Sequence, residues 1–211
     1  MEQKKLLSAD YIKTQLLDWL IKQKKTAIFA NEVLFSKYKR RADLICLLRN
    51  SLIAYEIKGY LDNTSKLKNQ ISDYIKTFDK VFVITTKNHL ENISTKLQNK
   101  NIGIILYGNN NNKFKIIKNA KQNMVRKEDL LYLMDKNTLI KELGLKEKNI
   151  SMDRIRNIAI KILSLHHIKK LSYAKLYMRY SSLFQLFMRD RSNTTSFDDL
   201  LNLTGFVDRL R

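Results

Sequence analysis

Two apolar runs, Ala42–Leu48 and Leu52–Lys58, are separated only by Arg49-Asn50-Ser51. A gap that short leaves room for a tight β-hairpin and little else. A two-residue turn at Arg49-Asn50 sets Leu48 opposite Ser51 and carries Asp43 opposite Glu56 and Arg41 opposite Lys58. Opposed residues have Cβ atoms roughly 4.5–5.5 Å apart. Side chains alternate along a strand, so Glu56 and Lys58 share one face while Tyr55 and Ile57 take the other. Two carboxylates and two cations thus crowd one patch of an apolar hairpin, where like charges directly opposed are destabilising. Two arrangements relieve this. In one, Arg41 and Lys58 neutralise the acids as a salt-bridged hairpin. In the other, a divalent cation lies between the carboxylates, since Mg²⁺ takes one or two carboxylates plus waters and a substrate phosphate. Lys58 would then stand beside the metal, to activate a water or to neutralise charge on the phosphate.

The first 119 residues read as an α/β unit around this hairpin. Tyr11, Leu16, Leu17, Trp19 and Leu20 predict a helix over Asp10–Lys24, capped by Ser8 or Asp10. Ala27–Phe35 is β-rich, and Thr64–Thr77 has helical spacing through Leu67, Ile71, Tyr74 and Ile75. Val81–Thr85, Ile102–Tyr107 and Phe114–Lys118 read as strands, with a helix over Leu90–Gln98. Gly108 and the four asparagines at 109–112 read as a solvated turn. Beyond Asn119 only helices are predicted: Lys127–Met134, Leu139–Leu143, Met152 to about His167 capped by Ser151, Ser172 to about Asp190, and a short one capped by Ser196. The expected organisation is a domain over 1–119 and a basic, all-α C-terminal region over 120–211.

Forty Lys and Arg stand against 20 Asp and Glu, a net charge of +20. A/T-rich codon usage accounts for part of the lysine excess and for the absence of proline. The remainder reads as a surface selected for nucleic acid, through counterion release, in preference to anionic membrane. The one cysteine, Cys46, excludes a disulfide framework and a four-cysteine zinc site, and it points to a reducing, cytoplasmic setting. No apolar run approaches the ~18 residues of a spanning helix, and no signal-peptide core opens the chain.

An Asp at the start of one strand, followed after a short turn by Glu-x-Lys (Glu56-Ile57-Lys58), resembles the PD-(D/E)XK nuclease superfamily. Ala42 stands where that motif carries its proline, a common departure. Gln70 and Tyr74 resemble the Gln-x-x-x-Tyr helix motif of RecB-type nucleases, on a helix face shared with Lys66. Glu32 falls where many members carry a further acid. Residues from about 8 to 107 resemble a small bacterial and phage family within the superfamily, on the Arg41-to-Leu44 segment, the Glu-x-Lys strand and the Gln-x-x-x-Tyr helix. The resemblance implies a restriction-endonuclease-like αβββαβ core with a mixed central sheet. It implies Asp43 and Glu56 as metal ligands with the Ile57 carbonyl as a third, and Lys58 as the catalytic lysine. Gln70 would steady the site, and Glu32 would assist metal or water. Arg40, Arg41 and Lys66 are candidates for holding phosphate, by charge and position, and Tyr74 for contact with nucleic acid.

Other residues carry less. Adjacent helical residues point roughly 100° apart, so His166 and His167 cannot readily chelate together; they read as a half-exposed pair at a helix C-terminus. Cys46 alternates onto the face opposite Asp43 and reads as a small buried hydrophobe. Arg154 and Arg156 belong to a basic helical face that is either solvated or an added grip on phosphate. Tyr173, Tyr177 and Tyr180 read as core residues rather than base-stacking ones. The function expected is a Mg²⁺- or Mn²⁺-dependent deoxyribonuclease, an endonuclease hydrolysing phosphodiesters by a metal-activated water. The partner is DNA, with RNA left open, no membrane, and a homodimer compatible with the chain. The alternative is a nucleic-acid-binding or regulatory module that keeps the nuclease fold without turnover.

Overall fold

The structure, a computed structural model, describes residues 7–108, 113–146 and 149–205. The asparagine run at 109–112 lies outside the described residues. Helix α1 (Ala9–Gln23) starts where Ser8 accepts the Tyr11 N–H. It buries Ile12, Leu16, Leu17 and Leu20, each contributing about 1.5–3 kcal/mol on burial. Strands β1 (Ile28–Phe35), β2 (Arg40–Leu48) and β3 (Ser51–Lys58) follow as an antiparallel meander. Helix α2 (Leu67–Thr77) then crosses to β4 (Lys80–Thr85), which pairs parallel to β3. Helix α3 (Lys87–Lys96) leads to β5 (Gly103–Gly108), parallel to β4, and β6 (Lys113–Lys118) closes the sheet antiparallel. The six strands lie side by side in chain order. The run α1–β1–β2–β3–α2–β4 is the αβββαβ order, in a mixed α/β sheet followed by a helical C-terminal region.

Helices cover both faces. On one, Leu47, Leu52, Ala54, Val81 and Val83 pack with Ile71, Tyr74 and Phe78 of the α2 segment. On the other, Cys46, Ile53, Tyr55, Ile84 and Tyr107 pack with α1. Gly59, next after Lys58, allows the start of α1 to come close: a Cβ there would stand 2.6 Å from the Ala9 nitrogen and 2.8 Å from the Leu7 carbonyl oxygen. That contact, with the Tyr60 N–H donating to Leu7 O at 2.9 Å, fixes α1 against the end of β3.

The chain continues with α4 (Lys127–Leu130), a 3₁₀ turn (Leu131–Leu133), α5 (Lys136–Glu142), α6 (Met152–Ile162), α7 (Leu165–Asp190) and α8 (Phe197–Asn202). Leu130, Leu131, Ile155, Ile168, Leu176 and Tyr180 join the same core as Val33 and Ile45 of the sheet, so residues 119–126 mark a change of secondary structure, not the edge of a second core. Asp79, 1% exposed, ties the regions together. It accepts from Leu52 N at 2.9 Å, Gln122 at 2.8 Å, Lys169 at 2.6 Å and the Tyr173 hydroxyl at 2.5 Å. The helix break falls at Leu163-Ser164, earlier than the predicted one, because Ser164 caps α7 by accepting the His167 N–H. Ser172 lies inside α7, its hydroxyl donating back to Ile168 O at 2.8 Å. His166 and His167 therefore sit in the first turn of α7, at the positive end of its dipole rather than the negative one, and His167 meets Glu142 at 2.5 Å. Among the described residues no helix is long and apolar enough to cross a membrane.

Candidate functional site

The β2–β3 ladder runs from Leu48↔Ser51 to Leu44↔Tyr55 in the register the two-residue turn dictates, and stops there. One step beyond, the Ile57 N–H donates to Asp43 Oδ2 at 2.7 Å, so a side chain takes the donor that backbone pairing gives up. Arg41 does not pair with Lys58, which stands beside Thr85 of β4 instead. The β1–β2 ladder holds at Asn31↔Leu44 and Val33↔Ala42 and skips the position between, where Glu32 faces Asp43. Glu32 has φ 52, a left-handed conformation that costs a non-glycine residue on the order of 1–3 kcal/mol. Simple alternation fails here in both strands: Ala30 and Val33 share one core, as do Ala42 and Ile45. The two acids stand where the β1–β2 ribbon changes face.

Glu56 keeps the parity of Leu52 and Ala54 and projects towards α2. It is 2% exposed, and three donors meet it. Lys58 Nζ lies 2.7 Å from Oε1, Gln70 Nε2 donates to the same oxygen at 3.0 Å, and the Tyr74 hydroxyl donates to Oε2 at 2.5 Å. Gln70 and Tyr74 reach one carboxylate because positions i and i+4 stack on a helix face. Tyr74 is 0% exposed, its ring edge-on to Phe35 at 4.6 Å. Burial, then the nearby Glu56 and Asp43 charges, push its hydroxyl well above its ordinary range, so it stays a donor. It positions Glu56 and offers no surface to nucleic acid.

Asp43 is held up to about 8, first by burial and then by the Glu56 charge; Lys13 and the Ile57 N–H pull the other way. Lys13 was not indicated by any motif. It is 5% exposed, with Nζ 2.5 Å from Glu32 Oε1. Its signal in the sequence is a charge on a stripe otherwise made of Leu16, Leu17 and Leu20.

The other candidates spread outwards. Arg40 is engaged by the Asp73 carboxylate of α2, which Lys76 also approaches at 3.4 Å. Arg41 makes no ion pair among the described residues and lends its carbonyl to the Tyr74 hydroxyl at 3.2 Å. Lys66 is the exposed residue preceding α2, which starts later than predicted. Arg154 is exposed on α6, while Arg156 packs over the Tyr132 ring in a separate cleft. Cys46 is buried on the α1 side, its thiol pushed up to about 12 by burial, as a structural cysteine would be. Tyr173 and Tyr180 are buried and Tyr177 is exposed.

A carboxylate held up to about 8 first by burial and then by a second carboxylate beside it is one whose charge a bound cation could compensate. Asp43 and Glu56 carry hard carboxylate oxygens, the donor type that Mg²⁺ or Mn²⁺ takes, while at Ile57 it is the N–H, donating to Asp43, that meets the cluster. Among the described residues no group of three or more His, Cys, Asp or Glu is arranged to hold a metal.

The molecule is thus an α/β protein with a buried carboxylate–lysine cluster at the splayed end of its central hairpin. The chain belongs to the bacteriophage P4 protein cII family, whose profile matches residues 2–204. It is 29% identical over 120 residues to protein cII of Enterobacteria phage P4, covering 55% of this chain and 45% of that protein. The chain therefore matches less than half the length of that relative. A protein of unknown function from Silicibacter pomeroyi resembles it with a TM-score of 0.39 at 15% identity, over 53% of this chain and 73% of the other.

Proposed function

We propose that the protein is a metal-dependent DNA nuclease of the PD-(D/E)XK kind, with Asp43 and Glu56 as ligands of Mg²⁺ or Mn²⁺. One observation carries the reading: Asp43, Glu56 and Lys58 converge at the splayed end of the β2–β3 hairpin, under the Gln70–Tyr74 face of α2. A bound divalent ion would supply Lewis-acid polarisation of a phosphoryl oxygen and a nucleophilic water. Lys58 supplies a cation to the same spot, able to neutralise charge that builds on a phosphate oxygen. Gln70 and Tyr74 fix the rotamer of Glu56, and the Ile57 N–H fixes Asp43, so the ligand atoms are preorganised. Lys13 holds Glu32, leaving Asp43 as the acid that exchanges a proton for a cation. Arg41 and Lys66 flank the cluster as contacts for the phosphate backbone. The reading places the protein with DNA in the cytoplasm, and a homodimer would bring two such sites to two strands.

The test is cleavage of linear, nicked, single-stranded and branched DNA in Mg²⁺ or Mn²⁺. Cutting is expected, with losses of at least a hundredfold (order of magnitude) in Asp43→Ala and Lys58→Ala. A wild-type chain that cuts none of them, or variants that cut equally well, would sink the proposal. A second reading has one observation in its favour: both Glu56 oxygens are already occupied by protein donors. A nucleic-acid-binding module without turnover would use Lys58 as a permanent counterion. It predicts salt-dependent DNA binding in EDTA, no cleavage, and no stabilisation by divalent ions.

A further inference from the structure

Next to the carboxylate cluster lies a half-open cleft of about 470 Å³ that the nuclease reading does not use. Lys37 and Tyr38 line it from the β1–β2 turn, Lys76 from α2, Arg126 from the start of α4, Tyr132 from the 3₁₀ turn, and Arg156 from α6. Asp73 connects the two places, since it lines the cleft and also binds Arg40, three residues before Asp43.

Two features of the lining suit a flat ligand. The Arg156 guanidinium lies 4.0 Å over the Tyr132 ring, which leaves its outer plane as a stacking surface. Tyr38 is 63% exposed, on a turn whose Ser36 and Lys39 both adopt positive φ without being glycine. An aromatic side chain is thus held out in solvent by a backbone that costs free energy to maintain. Guanidinium and aromatic planes are the surfaces on which unpaired bases stack, whatever their sequence. Lys37 and Arg126 supply charge for the adjoining phosphates. The volume falls within the range of roughly 300–1,000 Å³ typical of small-ligand sites. The acids present do not defeat this, because Asp73 is paired with Arg40 and Lys76, and Asp153 with Arg156 at 3.1 Å. Glu128 and Asp129 remain as acceptors for an exocyclic amino group.

We propose that the cleft binds one unstacked nucleotide of a single strand, its base on the Arg156–Tyr132 platform beside Tyr38, and so directs an unpaired strand to the carboxylate cluster. The binding itself stands alone; only the destination of the strand rests on the nuclease reading.

The experiment follows the fluorescence of 2-aminopurine in a short single-stranded oligodeoxynucleotide as the full chain carrying Asp43→Asn is added in EDTA, where no cleavage occurs. Saturable quenching is expected, with binding weakened roughly tenfold by Tyr38→Ala and by Arg156→Lys, which keeps the charge and removes the plane. Tyr38 is exposed, so its removal leaves the core intact. Binding of a blunt duplex of the same sequence should change by less than about twofold in either variant, because its bases are already stacked. Strand binding unchanged in both variants, or an equal loss on duplex, would overturn the proposal. So would displacement of the strand by adenosine monophosphate at equal concentration, because the cleft would then serve a free nucleotide. A chain that cleaves no DNA yet shows the expected pattern keeps the cleft and loses the nuclease reading. Cleavage without any dependence of strand binding on Tyr38 or Arg156 does the reverse.

Discussion

Asp43 is the residue at which stability and the proposed function pull apart. Its carboxyl is pushed up to about 8 from an ordinary 3.8, by burial and by Glu56. Between those two values the folded chain binds a proton that the unfolded chain has released. Stability from this group is therefore whole in acid, declines as pH rises through the interval, and levels off above about 8. In EDTA at about pH 8, Asp43→Asn should raise the melting temperature, by about 2–4 °C for each kcal/mol relieved in a chain of this size. At about pH 4.5, only slightly above the ordinary 3.8, the gain should be several-fold smaller. Differential scanning calorimetry at the two pH values checks both, and a destabilised variant at pH 8 would contradict the argument. On the proposed metal-site reading, divalent ions should reverse the ranking. Mn²⁺ competes with the proton, so it should stabilise the wild-type chain more at pH 8 than at pH 6, and leave Asp43→Asn unmoved. Lys13→Met should cost about 1–3 kcal/mol by stranding Glu32, a loss that pairing it with Glu32→Gln recovers in part.

Helix α2 is the element that turns a hairpin into a site. Its Gln70–Tyr74 face supplies two of the three donors to Glu56, and the Tyr74 ring is locked between Phe35 and Phe78, at 4.6 and 5.4 Å. Tyr74→Phe keeps that packing and removes one donor. It should melt within a few degrees of the wild type and, on the proposed metal-site reading, lower divalent-ion affinity by about 10–100-fold, the usual effect of losing an outer partner. Isothermal titration with Mn²⁺ reads this directly. Much of this element-scale arrangement was legible in sequence, because a two-residue turn dictates hairpin register and i,i+4 spacing dictates the helix face. What was not legible depended on contacts between distant segments. Glu32 and Asp43 disturb strand alternation in both β1 and β2, which no single-strand pattern reveals. Lys13 finds its partner 19 residues away on another element. Ser172, expected to start a helix, lies inside α7, whose Ile168, Leu176 and Tyr180 pack into the core shared with the sheet. The cleft at Tyr38 and Arg156 joins a turn to a helix across most of the chain, so no local motif marks it.

At the scale of the whole molecule, the +20 charge and the shared core make separate demands. On the proposed DNA-binding reading, the charge should appear as a steep fall of DNA affinity between about 50 and 200 mM salt, with a slope near −0.9 for each phosphate neutralised. The core demands that sheet and C-terminal helices unfold together, and Asp79 is where that can be tested. Four donors converge on its carboxylate, from β3, from Gln122 and from Lys169 and Tyr173 of α7. Asp79→Ala leaves an ammonium, a hydroxyl and a backbone N–H without their acceptor in a place that water barely reaches. Breaking a buried pair in this way costs about 3–5 kcal/mol. At about 2–4 °C per kcal/mol the melting temperature should drop by roughly 6–20 °C. The shape of the transition carries the sharper information. If the sheet and α4–α7 share one core, Asp79→Ala shifts a single transition that near-UV and far-UV circular dichroism report together. An independent C-terminal domain would instead give two transitions, since the helices would then keep their own midpoint while the sheet lost a partner.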